Sequence, residues 1–573
     1  MMQLTGAQAL LRLLGAEGVP YAFGIVGGKL APLLHAISQQ QALRFVGVRH
    51  EAAGPMMAAA AYAGSGRLCV ALAEMGPGTL NLAGGLGMAL NNQLPLLAIT
   101  TNQHRAAYPH SGMFMDLDAR ALLAPITKWN AVVQDGRRLP ELVRTALRQA
   151  LGGRPGPVHL DIPQDVLPGR HDFADDEFDI APGRYRPLSG ARPSADAVQA
   201  AALLRGARRP LIVAGGGVVA SGDAAVASVQ ALAAQLGAPV LPTQMGLGVV
   251  ASHSPHFIGQ GGLIAGEPVL QALMQADVIL SVGCRWSSWL WDEHGPLARR
   301  RHRLININTD PAALGAPALH EVAMPADAGL ALANLIAALA EAGRLQGDPA
   351  WLPGLQAHYA SYAAKLEALA DDAGAVMHPA ALARAVARAL PADALATFDG
   401  GHTSFWSNHF TPVQAMRTRL HEPGMCQLGF GLPAALAWAL LHPGRPVFNL
   451  TGDGSFGFTL NELDSARRLG LPVVTVIHNN AAWGIIRQGQ RKQFDFELGS
   501  DPGGTDYAAI ACGFGCHGET VRRPDEVAPA IARALASGRP AVLDCLTRFE
   551  PHPAMPGFGS MNRYGFEALT GPP

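Results

Sequence analysis

A chain of 573 residues exceeds one compact core and sets an expectation of three or four domains. With 43 Lys and Arg against 44 Asp and Glu, the formal net charge is -1, which argues against nucleic acid or an anionic membrane as the main partner. Charged residues make up only 15% and hydrophobic residues 49%, which excludes a disordered chain.

The N-terminus, MMQLTGAQALLRLLGAEGVP, lacks the basic region and cleavage pattern of a signal peptide and reads as an amphipathic first helix. The longest apolar runs are shorter than a membrane span and carry Gly, Pro or Asn, so the expected location is cytoplasmic. Near-continuous apolar runs then recur between Gly-rich turns and Ala/Leu-rich helices. LRFVGV (43–48), LCVALAE (68–74), LPLLAITT (94–101) and PVHLDIP (157–163) come first. LIVAGGGVV (211–219), ADVILSVG (276–283) and RLININTD (303–310) follow. ALATFDGG (394–401), PVFNLTGDG (446–454), PVVTVIHNN (472–480) and PAVLDCL (540–546) close the series. Such runs suit strands buried on both faces, and their alternation with helices implies parallel sheets with right-handed crossovers.

Two stretches break the rhythm. One, about 165–195, is polar and rich in Pro and Gly; the other, about 340–375, looks like a helical linker. They divide the chain into three doubly wound α/β parallel-sheet domains, expected at 1–165, 190–340 and 375–550, with a tail at 551–573. Six cysteines are too few for a disulfide framework, and they read as buried, reduced thiols. Cys512 and Cys516 beside His517 lack the second Cys/His pair a zinc site needs.

The most informative segment is NLTGDGSFGFTLNELDSARRLGLPVVTVIHNNAAWG. A strand ends at Gly452-Asp453-Gly454, and a helix is expected from near Thr459, with Asn461 and Glu462 in its first turn. A second strand ends at Asn479-Asn480, and 24 residues lie between Gly454 and Asn479. Parallel strands present their C-terminal ends along one edge, so Asp453 and Asn480 can face each other there. A carboxylate plus an amide oxygen suits Mg²⁺ or Ca²⁺, with substrate phosphates completing the shell. The amides of Ser455 and Phe456 can hold those phosphates.

GDG, a 24-residue gap and NN resemble the cofactor motif of thiamine diphosphate enzymes. The resemblance extends over the whole chain and points to the pyruvate oxidase and acetohydroxyacid synthase branch, with benzaldehyde lyase and the 2-hydroxyacyl-CoA lyases. It implies a pyrimidine-binding, a middle and a diphosphate-binding domain in that order. It implies thiamine diphosphate and Mg²⁺ as cofactors, and a homodimer or homotetramer with active sites at the subunit interface. The carbonyl of Ala482 becomes a third Mg²⁺ ligand beside Asp453 and Asn480. In VRHEAAGPMM, Glu51 matches the family's Glu that bonds N1′ of the aminopyrimidine and drives formation of the C2 ylid. Pro77 and Asn81 of MGPGTLN match a turn and helix near the pyrimidine. His402 and Thr403 of FDGGHTSFW fall near the phosphates. In PGMCQLGFGLPAA, the carbonyl of Cys426 is implied to accept from N4′, and Leu428 to wedge between the rings.

The implied reaction is a C–C lyase or ligase reaction on 2-oxoacids or 2-hydroxyketones through an enamine. Three positions depart from acetolactate synthases: Met115 stands for Gln, Gln164 for Lys and Gly489 for Trp. Trp483 matches benzaldehyde lyases, whose active-site His corresponds to Lys29. The implied substrate pocket is Val26, Lys29, Phe114, Met115, Trp483 and Ile485, mainly apolar. Functional FAD is not expected, since AGGGVVASG (214–222) lacks dinucleotide spacing and the acidic pair after 283–285 is absent. The alternatives are a 2-hydroxyacyl-CoA lyase, with Arg299 to Arg301 and Arg303 as a possible phosphate patch or a solvated charge run, and a nonenzymatic nucleotide-binding relative.

Overall fold

The computed structural model describes residues 1–107, 112–186, 195–262, 264–287, 290, 303–315, 319–340, 346–372 and 374–554. Arg299 to Arg301 and most of the expected tail lie outside the described residues.

Three parallel sheets carry the fold, and their strand orders locate the ligand-binding edges. The first runs Arg44–Gly47, Tyr21–Gly24, Val70–Ala73, Leu97–Asn102, Val158–Pro163, Trp129–Val132. The third runs Arg419–His421, Leu395–Phe398, Val447–Gly452, Val474–Asn479, Ala541–Leu546, His517–Val521. Both use the same winding, with the first two strands in chain order turning one way and the next the other. The middle sheet runs Val240–Pro242, Pro210–Ala214, Val278–Val282, Arg303–Asn308, Val322–Pro325. In each, the crevice at the reversal of direction lies beyond the C-terminal ends of two adjacent strands. In the middle sheet it is narrow: the amides of Gly215 and Gly217 donate to the carbonyls of Val282 and Gly283 at 2.9 and 3.1 Å.

The chain forms two compact units. One comprises Met1–Leu188 with Glu422–Val447 and Thr459–Val473; the other comprises Ser189–His421, Phe448–Phe458 and Val474–Pro573. The first unit is built around the helix Ala53–Ser65, whose run of Ala59, Ala60 and Ala61 is fully buried. Small side chains let the helix Gly431–Leu441 approach closely. Trp438 donates its indole N–H to the carbonyl of Ala60 at 2.9 Å. A Cβ on Gly64 would lie 2.5 Å from that indole nitrogen, so only glycine fits. The second unit holds the middle and third sheets, each with its own apolar core.

Three expectations are corrected. The first helix, Gly6–Ala16, is preceded by a strand, Met2–Thr5. That strand pairs antiparallel with Arg170–Phe173, inside the stretch expected to be a polar linker. A two-stranded ribbon that buries only Leu4 and Phe173 needs no apolar run, so hydropathy hides it. The segment after Gly452 forms two helices, Asp453–Gly457 and Glu462–Leu469, rather than one from Thr459, because Asp453 already begins to wind. The thiols are not all buried either: Cys426 and Cys512 are exposed. The stretch expected to be helical at about 340–375 contains the helix Trp351–Leu369. Among the described residues, no helix is long and apolar enough to cross a membrane.

Candidate active site

In the first unit, Glu51 follows the strand Arg44–Gly47 and immediately precedes the helix Ala53–Ser65. The side-chain amide of Asn81 donates to the Glu51 carboxylate at 2.9 Å. Pro77 occupies the first position of the helix Pro77–Asn81, where its missing N–H costs nothing. Gly78 lies under the carboxylate: a Cβ there would sit 3.2 Å from Oε1 of Glu51. Gly76 has φ +70°, and a Cβ on it would meet Met115 at 3.0 Å. The fold therefore gathers Glu51, Pro77, Asn81 and Met115, which lie far apart in sequence.

Met115 is itself left-handed at φ 61°. Within this unit its neighbour Phe114 is 79% exposed and Val26 is 65% exposed. Two residues that sequence reading missed hold their loops. Gln103 donates its side-chain amide to the carbonyl of Phe114 at 2.7 Å. Glu74 accepts from the backbone amide of Lys29 at 2.8 Å and from the Thr101 hydroxyl at 2.8 Å. Both sit just past strand ends, the one sequence signal that could have marked them.

Cys426 lies at φ 52°, and Leu428 is half-buried beside it. A third missed residue, Glu422, organises this turn. Its buried carboxylate accepts from the amides of Met425 and Gln427 at 2.7 and 2.6 Å and from the side chain of Asn92. Burial raises its pKa, and these bonds oppose that rise.

In the second unit, the turns after Leu395–Phe398 and Val447–Gly452 meet at the reversal point of the third sheet. Cβ atoms on Gly400 or Gly452 would fall 2.8 or 2.7 Å from the hydroxyl of Thr403, so the backbone approach there requires glycine. Ser455 and Phe456 are buried in the first turn of the helix Asp453–Gly457. Asp453 is 3% exposed, and its Oδ2 has no hydrogen-bond partner. Burial pushes its pKa up to about 6, against the opposing pull of amides that include Gly454, Ala482 and Ala481. The Ala481 and Ala482 amides belong to the segment after Val474–Asn479, so Asp453, Asn480 and Ala482 adjoin one another. Asn480 Oδ1 accepts from the Ala482 amide at 3.1 Å. Tyr507 donates its hydroxyl to the carbonyl of Asp453 at 2.9 Å, fixing the turn from behind. Trp483 lies over Gly454, where a Cβ would stand 2.5 Å from its ring, and Ile485 packs at 2.6 Å from the corresponding position of Gly401.

A buried carboxylate with one orphaned oxygen, next to the segment of Asn480 and Ala482, fits a divalent cation finished by ligand phosphates. Among the described residues, no group of three or more His, Cys, Asp or Glu could hold a metal alone. His402 is committed on both ring nitrogens. Nδ1 accepts from the His552 amide at 3.3 Å, and Nε2 faces Gln488 Oε1 at 2.7 Å and must donate to it. Burial lowers its pKa to about 4, so it brings no positive charge to the turn at neutral pH.

His421, which ends the edge strand beside Glu422, is buried and has its pKa lowered from 6.5 to about 4. A folded pKa below the free value stabilises the fold fully above pH 6.5, and the contribution is lost as pH falls toward 4. His421→Gln should therefore lose about 2 kcal/mol less stability than the unsubstituted protein between pH 7 and pH 5. Denaturant unfolding at the two pH values measures this, and equal losses would contradict it.

Three family models match the chain in the order its sheets occur. The N-terminal thiamine pyrophosphate binding domain matches residues 4–122, the central domain 197–335 and the C-terminal binding domain 399–545. The chain belongs to the thiamine pyrophosphate enzyme family. It is 30% identical over 571 residues to a probable acetolactate synthase large subunit of Methanocaldococcus jannaschii, covering 96% of this chain and 93% of that one. It is 34% identical over 533 residues to a probable 2-ketoarginine decarboxylase of Pseudomonas aeruginosa, covering 91% and 90%. It is 30% identical over 519 residues to the acetolactate synthase isozyme 1 large subunit of Escherichia coli, covering 90% and 88%. The protein is thus a thiamine diphosphate-dependent enzyme of the acetolactate synthase-like type.

Proposed function

We propose that the enzyme is a thiamine diphosphate- and Mg²⁺-dependent carboligase or lyase acting on C–C bonds of 2-oxoacids or 2-hydroxyketones. The observation that carries this reading is the buried Asp453 carboxylate, with one oxygen unpartnered, against the segment of Asn480 and Ala482. When bound, the cofactor supplies a nucleophilic carbon and an electron sink for the bond that breaks.

The residues divide the remaining work. Asp453, Asn480 and the Ala482 carbonyl hold the cation. The amides of Ser455 and Phe456, the Gly452–Gly454 turn and the His402–Thr403 turn hold the diphosphate. Glu51 exchanges a proton at N1′ of the pyrimidine, and Asn81 fixes its carboxylate. Pro77 shapes the turn beside it. The Cys426 carbonyl receives the 4′-amino group, and Leu428 supports the ring. Val26, Lys29, Phe114, Met115, Trp483 and Ile485 face the substrate. Met115 supports an apolar carbonyl compound over a second polar 2-oxoacid, because a thioether offers only a weak acceptor. A relative named for decarboxylating a 2-keto acid supports a 2-oxoacid donor.

Functional FAD is not proposed, because the glycine run 214–222 lacks dinucleotide spacing and the acidic pair after 283–285 is absent. The assembly is a homodimer or homotetramer, which light scattering measures. Calorimetric titration tests the cofactor assignment: thiamine diphosphate should bind one site per chain with Mg²⁺ and lose that affinity in chelator. Equal affinity without a divalent cation would contradict it.

A further inference from the structure

The first unit contains a buried carboxylate that neither the cofactor motif nor the pocket uses. Glu462 opens the helix Glu462–Leu469 and is 0% exposed. Its Oε1 accepts from two successive backbone amides, Arg49 at 2.9 Å and His50 at 3.1 Å. Its Oε2 accepts from the Ser465 hydroxyl at 2.6 Å. Both carboxylate oxygens thus meet defined donors, three in all.

The target of these bonds matters. Arg49 and His50 have exposed side chains and belong to the short connection leading into Glu51. Two amides bonded to one carboxylate oxygen fix two consecutive peptide planes, and so the direction in which the next residue leaves. On the other side of Glu51, the amides of Ala53 and Gly54 bond to the carbonyls of His50 and Glu51 and start the helix. Glu51 is therefore held by its helix behind, Asn81 at its carboxylate and Glu462 at the peptides ahead. A buried carboxylate is expensive to keep, and burial raises its pKa, with the Ser465, Arg49 and His50 bonds opposing the rise. A purely structural need for a helix start could be met by Asn or Ser without that cost.

We propose that Glu462 is a positioning residue that sets the orientation of Glu51 through the Arg49 and His50 amides. The inference rests on the catalytic reading of Glu51. It is tested with Glu462→Ala and Glu462→Gln, the latter keeping an oxygen that can accept both amides. In the cofactor-free protein, deuterium exchange of a peptide spanning 48–54 should accelerate in Glu462→Ala and not in Glu462→Gln. At cofactor saturation, C2-proton exchange of bound thiamine diphosphate should fall about a hundredfold in Glu462→Ala and recover in Glu462→Gln, while cofactor affinity stays within about threefold. C2 exchange at the unsubstituted rate in Glu462→Ala would overturn the proposal. So would equal loss in both variants, which would point to charge and not to the amide bonds. If Glu462→Ala does not fold, Glu462→Asp decides: its shortened reach should cost about tenfold, and an unchanged rate would overturn the proposal. A failure of the underlying reading looks different, because Glu51→Gln itself would then exchange normally.

Discussion

Glu51→Gln should slow C2-proton exchange of bound thiamine diphosphate by about a thousandfold, roughly 4 kcal/mol of barrier. The substitution keeps the side-chain shape and the bond from Asn81, since an amide oxygen also accepts. It removes only the ability to take and return a proton, so cofactor affinity should change far less than the exchange rate. Quenched-flow exchange followed by NMR of the released cofactor measures the effect. Exchange within a few-fold of the unsubstituted protein would remove Glu51 from its proposed role.

Asp453→Asn should abolish most Mg²⁺-dependent cofactor binding. Loss of even a supporting residue around a metal costs 10–100-fold in affinity, so replacing a proposed direct ligand should cost more than about a hundredfold. The cofactor-free variant should be at least as stable as the unsubstituted protein. Asp453 is a buried acid whose folded pKa of about 6 lies above its free value of 3.8. Such a group contributes its stability below pH 3.8 and loses it as pH rises through 6, so at pH 7 the carboxylate is a burden on the empty fold. Thermal unfolding with and without thiamine diphosphate and Mg²⁺ separates the two effects. The unsubstituted protein should gain a large ligand-dependent shift and the variant almost none. A normal shift in the variant would rule out Asp453 as a ligand.

The central strands were legible because both their faces are buried. Val447–Gly452, Val474–Asn479 and Ala541–Leu546 are buried along nearly their full length, and their sequences read as apolar runs. Most edge strands were not. Trp129–Val132 is half-exposed throughout and His517–Val521 is polar along most of its length, so neither carries such a run. Val240–Pro242 and Arg419–His421 are only three residues long, too short for periodicity to register.

The candidate site divides in the same way. Asp453, Asn480 and Glu51 sit at strand ends or in motifs whose spacing is visible in one dimension. Glu462 and Glu74 act by bonding backbone far away in sequence, Glu462 across 413 residues to Arg49 and Glu74 across 45 to Lys29, while Glu422 and Gln103 hold loops within 11 residues of themselves. No spacing rule marks a carboxylate whose partners are peptide amides in another part of the chain. Nor does composition distinguish exposed Val26 and Phe114 from core residues, because hydrophobicity alone does not say what covers them.

The measurement that tests the account most directly is an NMR product assay with thiamine diphosphate and Mg²⁺. Pyruvate alone, benzaldehyde alone and both together would be incubated with the unsubstituted protein and with Glu51→Gln. A hydroxyketone or acetolactate that forms with the unsubstituted protein and is lost in Glu51→Gln is the predicted result. Products formed equally by both proteins, or no carbonyl turnover by a protein shown to bind the cofactor, would contradict it.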